Sequence, residues 1–324
     1  MIVFFINDLS FGGAERLVID LCRHSSFSSC VVTLFKSSHE YEHKGVSRYT
    51  LFSGQFFQAI SILFKARTIH FNLFPVMWIS VLFWFSKKNK IYTEHNTFNK
   101  RRRYRLLSYI EKPIYKGFTH VVAISDGVRD SLQLWQPDLP IKVINNGVRS
   151  MSSRKVKDDR YINLLMIGRF SAQKDQLTLV KALNLLPNNY KLTLVGSGAK
   201  VAASSFANFN RFADINFVES QDEIKSYYAS ADIYVQSSHW EGFGLTVVEA
   251  MTAELPVIAS RVEGLKDLVS SELLFSKENA EDLAAKIQYL ENASSLDAAK
   301  THSKEISEKY SLDKMIHSYE SIYV

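Results

Sequence analysis

The chain has 324 residues, of which 46% are hydrophobic and 22% are charged. This composition excludes disordered, collagen-like and low-complexity chains, and the length predicts two domains of similar size. The net charge of +6 is unevenly distributed, because residues 1–150 carry 20 Lys and Arg against 10 Asp and Glu, whereas the remainder carries 19 against 23. A basic first half favours an anionic partner such as nucleic acid, a membrane surface or a phosphorylated substrate, although ordinary surface charge gives the same pattern.

Cysteine content and apolar stretches bear on the compartment of the protein. Cys22 and Cys30 are too few for a disulfide framework and have no zinc-binding spacing, which favours a reducing compartment. Residues 1–10 lack the basic start of a signal peptide and are predicted to begin the first strand. The longest apolar stretch, residues 71–85, falls short of the roughly 20 residues that a bilayer crossing needs. We therefore expect a buried helix there and a cytoplasmic protein.

Short apolar, β-branched or aromatic runs alternate with longer helix-like segments along the chain. Six runs in each half are predicted as strands: Ile2–Ile6, Cys30–Phe35, Thr68–Phe71, Lys90–Thr93, His120–Ile124, Lys142–Ile144, Ile162–Ile167, Lys191–Val195, Ile215–Val218, Ile233–Gln236, Pro256–Ala259 and Glu272–Phe275. This alternation predicts an α/β protein with two doubly wound parallel sheets, whose ligands bind outside the carboxyl ends of the strands. The polar segment 149–160 is predicted to link the domains, and residues 303–324 are predicted to form a terminal helix.

Two loops that follow predicted strands carry residues suited to binding an anion. Gly12 and Gly13 precede a helix, so the backbone can approach a ligand closely, although a tight turn explains the glycine pair equally well. In the second half, Arg169 and Lys174 lie five residues apart and are placed to converge on a diphosphate. Two exposed cations are common on ordinary surfaces, but their position at the carboxyl end of a strand favours a site.

The strongest candidate is the segment 237–260, with Glu241 in a loop and Glu249 about one turn into the following helix. The loop carboxylate suits the hydroxyls of a sugar, the amides of residues 243–246 suit a phosphate, and the helical carboxylate suits a ribose. A capping glutamate followed by a solvated helix glutamate gives the same spacing, so the spacing alone does not decide between the two interpretations.

The stretch 241–249, EGFGLTVVE, resembles the E-x7-E signature of retaining, nucleotide-sugar-dependent glycosyltransferases of family 4. Other motifs of that family occur in the family's order: GGAER at 12–16, TEHN at 93–96, AISDGV at 123–128, NNGV at 145–148, GRF with QK at 168–174 and VGSG at 195–198. The resemblance implies the GT-B fold, in which two Rossmann-like domains face a central cleft. Residues 1–150 would then bind the acceptor, residues 151–305 the donor, and residues 306–324 would form a helix that packs back toward the first domain.

The resemblance also implies the roles of individual residues. Arg169 and Lys174 would bind the donor diphosphate, Glu241 the donor sugar and Glu249 the ribose, while His95 would lie near the transferred sugar and the acceptor. The implied catalytic group is Glu241, His95, Lys174 and Arg169. The other implied donor-binding residues are Gly12, Gly13, Gly196, Gly198, Gly242, Phe243, Gly244, Leu245 and Thr246. Ser197 departs from many relatives, which carry an acidic residue there, and this departure bears on recognition of the base.

The implied reaction transfers a sugar, with retention of configuration, from a nucleotide diphosphate sugar to a saccharide acceptor. UDP is the commonest nucleotide in the family, and the most similar bacterial enzymes extend lipid-diphosphate-linked saccharides of surface polysaccharides. The acidic doublets at 158–159, 222–223 and 281–282 are poorly placed to hold a cation on a diphosphate, so we expect no metal and no other cofactor. A nucleotide-sugar hydrolase or epimerase of the same fold, and a non-enzymatic basic binding protein, are the alternatives.

The positive charge of the first half is concentrated in KRRRYR at residues 100–105. Its cations are Lys100, Arg101, Arg102, Arg103 and Arg105, and aromatic residues are interleaved with them at Phe98, Tyr104, Tyr109 and Tyr115. We expect this surface to rest on anionic headgroups or to hold the acceptor's diphosphate, as in a peripheral protein on the inner face of the cytoplasmic membrane. A solvated helix face is the plainer alternative. Nucleic-acid binding is not favoured, because no known nucleic-acid fold pattern surrounds the cluster.

Overall fold

The computed structural model describes residues 1–10, 12–36, 45–151, 160–206, 208, 214–221 and 223–323. The chain divides into two compact units, of which one is Met1–Gly147 with Leu312–Val324 and the other is Val148–Ser311. Most of the predicted linker lies outside the described residues, as do Asp158, Asp159 and Asp222 of the acidic doublets.

The first unit is built on a parallel sheet. Its described strands are β1 (Ile2–Ile6), β2 (Ser29–Thr33), β3 (Arg48–Thr50), β4 (Thr68–Asn72), β5 (Asn89–Glu94), β6 (His120–Ala123) and β7 (Ile141–Val143). They lie in the order β3-β2-β1-β4-β5-β6-β7, so the direction of winding reverses between β1 and β4. The described helices before the second unit are α1 (Gly13–His24), α2 (Phe56–Lys65), α3 (Val76–Ile79), α4 (Arg105–Lys116) and α5 (Asp126–Trp135).

The strands of this sheet are apolar on both faces because helices cover both faces. Val3 and Phe5 of β1 point into one core, which also contains Leu63 of α2 and Ile114 of α4. Phe4 points to the other face, where its ring lies 5.5 Å from that of His70. This arrangement explains why the first strand is a continuous run of buried residues rather than an alternating one.

The second unit repeats the architecture. Its described strands are β8 (Ile162–Ile167), β9 (Tyr190–Val195), β10 (Ile215–Val218), β11 (Ile233–Gln236), β12 (Val257–Ser260) and β13 (Leu274–Phe275), in the order β10-β9-β8-β11-β12-β13. Its described helices are α6 (Gln176–Leu183), α7 (Ala199–Ser205), α8 (Lys225–Ser230), α9 (Leu245–Thr252), α10 (Ala280–Tyr289) and α11 (Ala293–Lys309). Winding reverses at β8, so the loops after β8 and β11 flank the crevice in which open parallel sheets bind ligands.

The last helix, α12 (Leu312–Glu320), belongs to the first unit. The hydroxyl of Tyr323 lies 2.9 Å from Nδ1 of His70, and the hydroxyl of Tyr319 lies 3.3 Å from Oγ1 of Thr93. In the loop between α1 and β2, the backbone N–H of Ser26 donates to the carboxylate of Glu320 at 2.6 Å. Residues 312–323 therefore cover one face of the sheet of the first unit.

The prediction of two doubly wound parallel sheets is confirmed, and the predicted strands are all present within two residues of their expected bounds. Strand β3 was not predicted, because it has only three residues and lies at the edge of its sheet. The prediction of one terminal helix over 303–324 is wrong. Helix α11 ends at Lys309, and Ser311 instead forms a bridge with Val148, which separates α11 from α12.

The prediction of a buried helix over residues 71–85 is also wrong. The stretch starts in β4, continues through the four-residue helix α3 and ends in a short 3-10 turn at Ser80–Phe83. Leu82 and Phe85 face solvent, although Val76 and Met77 are buried. Among the helices that the structure describes, none combines the length and the hydrophobicity that crossing a bilayer requires.

Candidate functional site

Lys174 and Glu241 meet at the carboxyl edge of the second sheet. Lys174 lies in the loop after β8 and Glu241 in the loop after the adjacent strand β11. The Nζ atom of Lys174 donates to Oε1 of Glu241 at 2.5 Å, and the two side chains are only 18% and 8% exposed. The two residues that the sequence analysis assigned to diphosphate and sugar therefore form one ion pair.

A buried polar network fixes the carboxylate of Glu241. The Ser238 hydroxyl donates to its Oε1 at 2.7 Å, and the side-chain amide of Gln236 donates to the same atom at 3.3 Å. Oε1 of Gln236 in turn accepts from the hydroxyls of Tyr234 at 2.8 Å and Thr246 at 3.2 Å. Burial raises the pKa of Tyr234, so its hydroxyl stays protonated as a donor. Because every member has a partner, the carboxylate is held in place before any ligand binds.

The loop that carries Arg169 and Lys174 is held by its neighbours. The side-chain amide of Gln176 donates to the backbone oxygens of Gly168 and Arg169 at 3.2 and 3.0 Å. Asp175 has a φ of +48° and caps α6 by accepting from the backbone and side chain of Thr178. The stem of Lys174 passes so close to Gly168 that a Cβ there would lie 3.3 Å from it. Arg169 itself is exposed at the head of this loop.

Gly196 and Gly198 follow β9, the strand next to β8. A Cβ on Gly196 would lie 2.0 Å from the backbone oxygen of Gly168, so only glycine fits where these two loops cross. Gly198 has a φ of +91° and begins α7. The carboxylate of Glu219 accepts from the backbone N–H groups of Gly198 and Lys200 at 3.2 and 3.0 Å. An acidic group thus lies beside the loop in which Ser197 replaces the acidic residue of many relatives.

The segment after Glu241 turns sharply into helix α9. Gly244 has a φ of +87°, which favours glycine, and no side chain caps the helix that begins at Leu245. The ring of Phe243 is buried and packs edge-on against Tyr310 at 5.1 Å, so this side chain has a structural contact. Gly242 is half-buried and Gly244 is buried, and the uncapped end of the helix favours negative charge.

Glu249 lies one turn into α9 and is 6% exposed. Its Oε2 accepts from the hydroxyl of Tyr228 at 2.9 Å. The structure places Glu241 and Glu249 in the loop and in the helix that follow one strand, in agreement with the local structure expected for them.

His95 lies in the first unit, directly after β5. Its Nε2 is 3.1 Å from Oδ1 of Asn72, and the amide of Asn72 donates to the backbone oxygen of His70 at 3.1 Å. Because that bond fixes the carbonyl of Asn72 toward His95, Nε2 carries the proton and Nδ1 bears a lone pair. Burial lowers the pKa of His95 to about 4, so the ring is neutral at pH 7. Within the described residues, Nδ1 is buried without a hydrogen-bond partner.

Gly12 and Gly13 lie at the junction between β1 and α1, as the sequence predicted. Gly12 has an extended backbone and precedes a helix that no side chain caps. A Cβ on Gly12 would lie 2.2 Å from the carboxylate of Glu15, a contact that a flexible side chain can relieve.

The prediction that all five cations of residues 100–105 face outward is wrong for two of them. Arg101 is buried, with Nε 2.9 Å from Glu111 and a terminal nitrogen 3.5 Å from Glu94. Arg102 turns inward as well and donates to Glu94 at 2.8 Å. The buried carboxylates attract these side chains because a buried charge needs a partner. Tyr115 is also buried rather than exposed.

The remaining members of the cluster do face solvent: Lys100, Arg103 and Arg105.

Several polar residues around Glu241, Glu249, Gly198 and His95 were not predicted from the sequence. They are Asn72, Glu94, Glu219, Tyr228, Gln236 and Ser238, and Gly264 was missed as well. Gln236 and Ser238 gave a usable signal, since polar residues directly follow an apolar strand there. Gly264 gave none, because a Cβ on it would meet the backbone oxygen of Glu241 at 2.7 Å and that approach is visible only in three dimensions.

Among the described residues, no group of three His, Cys, Asp or Glu side chains is arranged to hold a metal ion. The acidic doublet at residues 281–282 serves instead at the start of α10, where the carboxylate of Asp282 accepts from the backbone N–H of Ser276 at 2.7 Å.

Comparison with known proteins agrees with this architecture. Residues 11–150 match a family model described as Glycosyltransferase Family 4, and residues 149–308 match one described as Glycosyl transferases group 1. An uncharacterized 41.2 kDa protein in the cps region of Klebsiella pneumoniae is 25% identical over 362 residues, which cover 100% of this chain and 99% of that protein. The O-antigen biosynthesis glycosyltransferase WclY of Escherichia coli is 23% identical over 222 residues, 65% of this chain and 62% of WclY. Several other relatives match over about half of their own length or less.

Solved structures share the fold at low sequence identity. The crystal structure of Anabaena HepE in complex with UDP-glucose has a TM-score of 0.84 and 18% identity, and the match covers 99% of this chain and 98% of HepE. The two family models together span residues 11–308, and the two parallel-sheet units are those of the GT-B fold. The chain is therefore a glycosyltransferase of the GT-B type.

Proposed function

We propose that the chain transfers a sugar, with retention of configuration, from a UDP-sugar to a saccharide carried on a lipid diphosphate. The preorganised pair of Lys174 and Glu241 is the observation that carries this proposal. UDP is favoured because HepE, which has the same fold, is solved with UDP-glucose. Assembly of a bacterial surface polysaccharide is favoured because WclY takes part in O-antigen biosynthesis and the Klebsiella relative lies in a cps region.

The second unit would bind the donor at the carboxyl edge of its sheet. Lys174 and Arg169 offset the charge of the diphosphate, Lys174 as a point charge and Arg169 as a fork. The uncapped start of α9 offers backbone amides to the same anion. The carboxylate of Glu241 accepts from hydroxyls of the donor sugar, and that of Glu249 from the ribose. Gly196 and Gly198 line the nucleotide pocket.

In the proposed reaction, the bond from the anomeric carbon to the diphosphate oxygen breaks while the acceptor oxygen attaches on the same face of the sugar. The proton of the acceptor hydroxyl passes to the departing diphosphate. Negative charge grows on the leaving oxygen, and Lys174 and Arg169 stabilise it without a metal ion or another cofactor. His95, neutral and with a lone pair on Nδ1, is assigned to the transferred sugar and the acceptor.

The acceptor is proposed to reach the protein from an anionic membrane surface on the cytoplasmic side. Lys100, Arg103 and Arg105 remain available for its diphosphate or for headgroups. Arg101 and Arg102 are not assigned this role, because their side chains are only 6% and 11% exposed and turn inward to Glu111 and Glu94.

Thermal denaturation with nucleoside diphosphates and UDP-sugars tests the donor site first. A ligand at a hundred times its Kd stabilises the folded state by about 2.7 kcal/mol, which is a measurable shift in Tm. We expect UDP and one UDP-sugar to stabilise the wild type, and Lys174→Ala and Glu241→Gln to reduce sugar transfer roughly 100-fold. Matched controls are Lys181→Ala, an exposed cation of α6, and Glu263→Gln, an exposed carboxylate.

Near-wild-type transfer in both site variants would contradict the assignment of the donor site. Release of free sugar at the same rate with and without a lipid-linked acceptor would identify a hydrolase instead. If no nucleoside diphosphate shifts the Tm of the wild type, the donor proposal fails.

A further inference from the structure

The first unit exposes a large apolar surface on the outer side of its helix layer. We call it the apolar face, and it consists of Phe57, Phe64, Leu82, Trp84, Phe85, Leu106, Tyr109 and Ile110. Five of these side chains, Phe57, Leu82, Phe85, Leu106 and Tyr109, are between 74% and 101% exposed. Exposed apolar residues are ordinary when they are scattered singly, but a contiguous group marks an interaction surface.

Helix α4 has apolar side chains on two faces, and only one of them is packed. Ile114 and Tyr115 point into the core, as the inner face of a surface helix should. Leu106, Tyr109 and Ile110 recur at helical spacing on the outer face, where a surface helix ordinarily carries polar residues. The outer face of α4 is therefore built for contact with an apolar phase.

Contacts beneath the apolar face show that the segments that carry it are neighbours. The ring of Phe64 on α2 lies 5.5 Å from that of Phe83, which precedes Trp84 and Phe85. The indole of Trp78 in α3 donates to Glu111 of α4 at 3.2 Å. Helix α2, the segment from α3 to residue 85, and helix α4 thus lie side by side.

Two lysines bind backbone oxygens beside the apolar face, Lys90 in the turn at residues 83–84 and Lys88 at the end of α2. Nζ of Lys90 is directed inward and donates to the backbone oxygens of Phe83 and Trp84 at 3.0 and 3.3 Å. Nζ of Lys88 donates to the backbone oxygens of Phe64 and Ala66 at 2.7 and 2.5 Å. These bonds attach the turn that carries Trp84, and the end of α2, to the rest of the unit.

The segments that carry the apolar face are strongly basic, and Asp138, which pairs with Lys112, comes from outside them. Residues 52–119 include twelve Lys and Arg but only two acidic residues, Glu94 and Glu111. Both carboxylates are buried and paired with arginines. The exposed cations of this stretch include Lys65, Lys87, Lys100, Arg103, Arg105, Lys112 and Lys116. A second copy of this face would carry the same positive charges and be repelled, whereas an anionic lipid surface complements both the charge and the apolar area.

We propose that the apolar face docks on an anionic bilayer and inserts its side chains into the boundary between headgroups and acyl chains. Phe57, Leu82, Phe85 and Leu106 enter the acyl region, while Trp84 and Tyr109 lie at the headgroup level, where amphipathic rings are favoured. The exposed cations contact lipid phosphates. This inference deepens the membrane partner of the proposed function and relies on that function only for the lipid-borne acceptor.

Vesicle flotation tests the docking surface without requiring turnover. The probes are vesicles of phosphatidylcholine alone and of an equal mixture of phosphatidylcholine and phosphatidylglycerol. We expect the wild type to float with the anionic vesicles only. The double variants Leu82→Ser/Phe85→Ser and Leu106→Ser/Tyr109→Ser should each lower the partition coefficient about 10-fold or more, since each removes the transfer free energy of large apolar side chains.

Val201→Ser is the matched control, because Val201 of the second unit is as exposed as Leu82, at 74%. The Tm shift produced by UDP is measured on every variant. An unchanged shift shows that a variant is folded and that the donor site is intact, so failure of the docking surface and failure of the proposed function are separated.

Three outcomes would overturn the proposal. The double variants float with anionic vesicles as the wild type does; the wild type binds neither vesicle, or both equally; or the wild type forms a dimer that the double variants abolish. The last result would assign the apolar face to self-association rather than to lipid.

Discussion

Replacing Glu111 by Gln should destabilise the first unit, because this carboxylate neutralises a buried arginine. Glu111 is fully buried, and its oxygens accept from the indole N–H groups of Trp78 at 3.2 Å and Trp135 at 2.8 Å. The Nε atom of Arg101 lies 2.9 Å from the same carboxylate. Glutamine keeps an oxygen acceptor but removes the negative charge, so Arg101 retains Glu94 at 3.5 Å, the Tyr115 hydroxyl at 3.1 Å and the ring of Phe74 at 5.1 Å.

The magnitude follows from these contacts. Removing one partner of a buried ion pair costs about 3–5 kcal/mol. Because Glu94 still offsets part of the charge and glutamine still accepts from an indole, we expect Glu111→Gln to lie near the low end, at about 2–3 kcal/mol. Glu111→Ala also leaves two indole N–H groups without an acceptor, at about 1–3 kcal/mol each, so its total cost should reach about 4–9 kcal/mol. That loss is comparable with the whole stability of a domain, about 5–15 kcal/mol.

Urea unfolding followed by tryptophan fluorescence measures this effect selectively. Three of the four tryptophans, Trp78, Trp84 and Trp135, lie in the first unit, and two of them contact Glu111. Lys112→Ala is the control, because Lys112 lies on the same helix as Glu111 but forms an exposed pair with Asp138, whose loss should cost at most about 1 kcal/mol. A free energy of unfolding for Glu111→Gln within about 0.5 kcal/mol of the wild type would refute the reasoning.

Three further predictions concern other parts of the molecule. Gly196→Ala should lower the free energy of unfolding by more than about 3 kcal/mol and abolish the Tm shift that UDP produces, because its Cβ would meet the backbone of Gly168. Gly54→Ala, which has open space around it, should leave the Tm unchanged in the same thermal assay. Glu94→Ala should lower transfer about 10-fold or more and leave the UDP shift unchanged, since it removes the oxygen that accepts from the backbone N–H of His95 at 3.2 Å and positions it; equal loss of UDP binding would contradict this role. Burial lowers the pKa of His70 to about 3, so below pH about 6.5 the unfolded chain takes up a proton that the folded chain does not, and stability falls by about 1.4 kcal/mol per pH unit. His70→Gln should therefore flatten the decline of the unfolding free energy between pH 6 and pH 4, measured in urea, and an unchanged slope would count against the assignment.

The strand pattern was predictable because both sheets are covered on both faces. Continuous apolar runs such as residues 2–6 and 162–167 then identify buried strands directly. The short edge strand β3 escaped because three half-buried residues give no such run. The stretch that ends at Phe85 was predicted to be buried, but several of its side chains are exposed. Hydrophobicity alone does not show whether an apolar side chain points toward the core or toward solvent.

The candidate site was predictable as a set of loops but not as a set of contacts. Glu241 and Lys174 were singled out because each follows a strand, yet they are 67 residues apart and their ion pair depends on β8 and β11 being neighbours. The inward turn of Arg101 was not predictable for a similar reason. A run of five cations looks alike whether or not buried carboxylates lie beneath it, and Glu111 reaches Arg101 only once α4 has folded.

The return of α12 to the first unit has a consequence for biosynthesis. The second unit is continuous in sequence, whereas the first is interrupted by all of it. A ribosome therefore releases residues 148–311 before the helix that covers Phe4 and His70 has been made. The usual order, in which the amino-terminal domain folds first during translation, is reversed for the last step of this chain. The nascent first unit exposes an aromatic face of its sheet throughout that interval. We expect a chaperone to bind the chain at this stage.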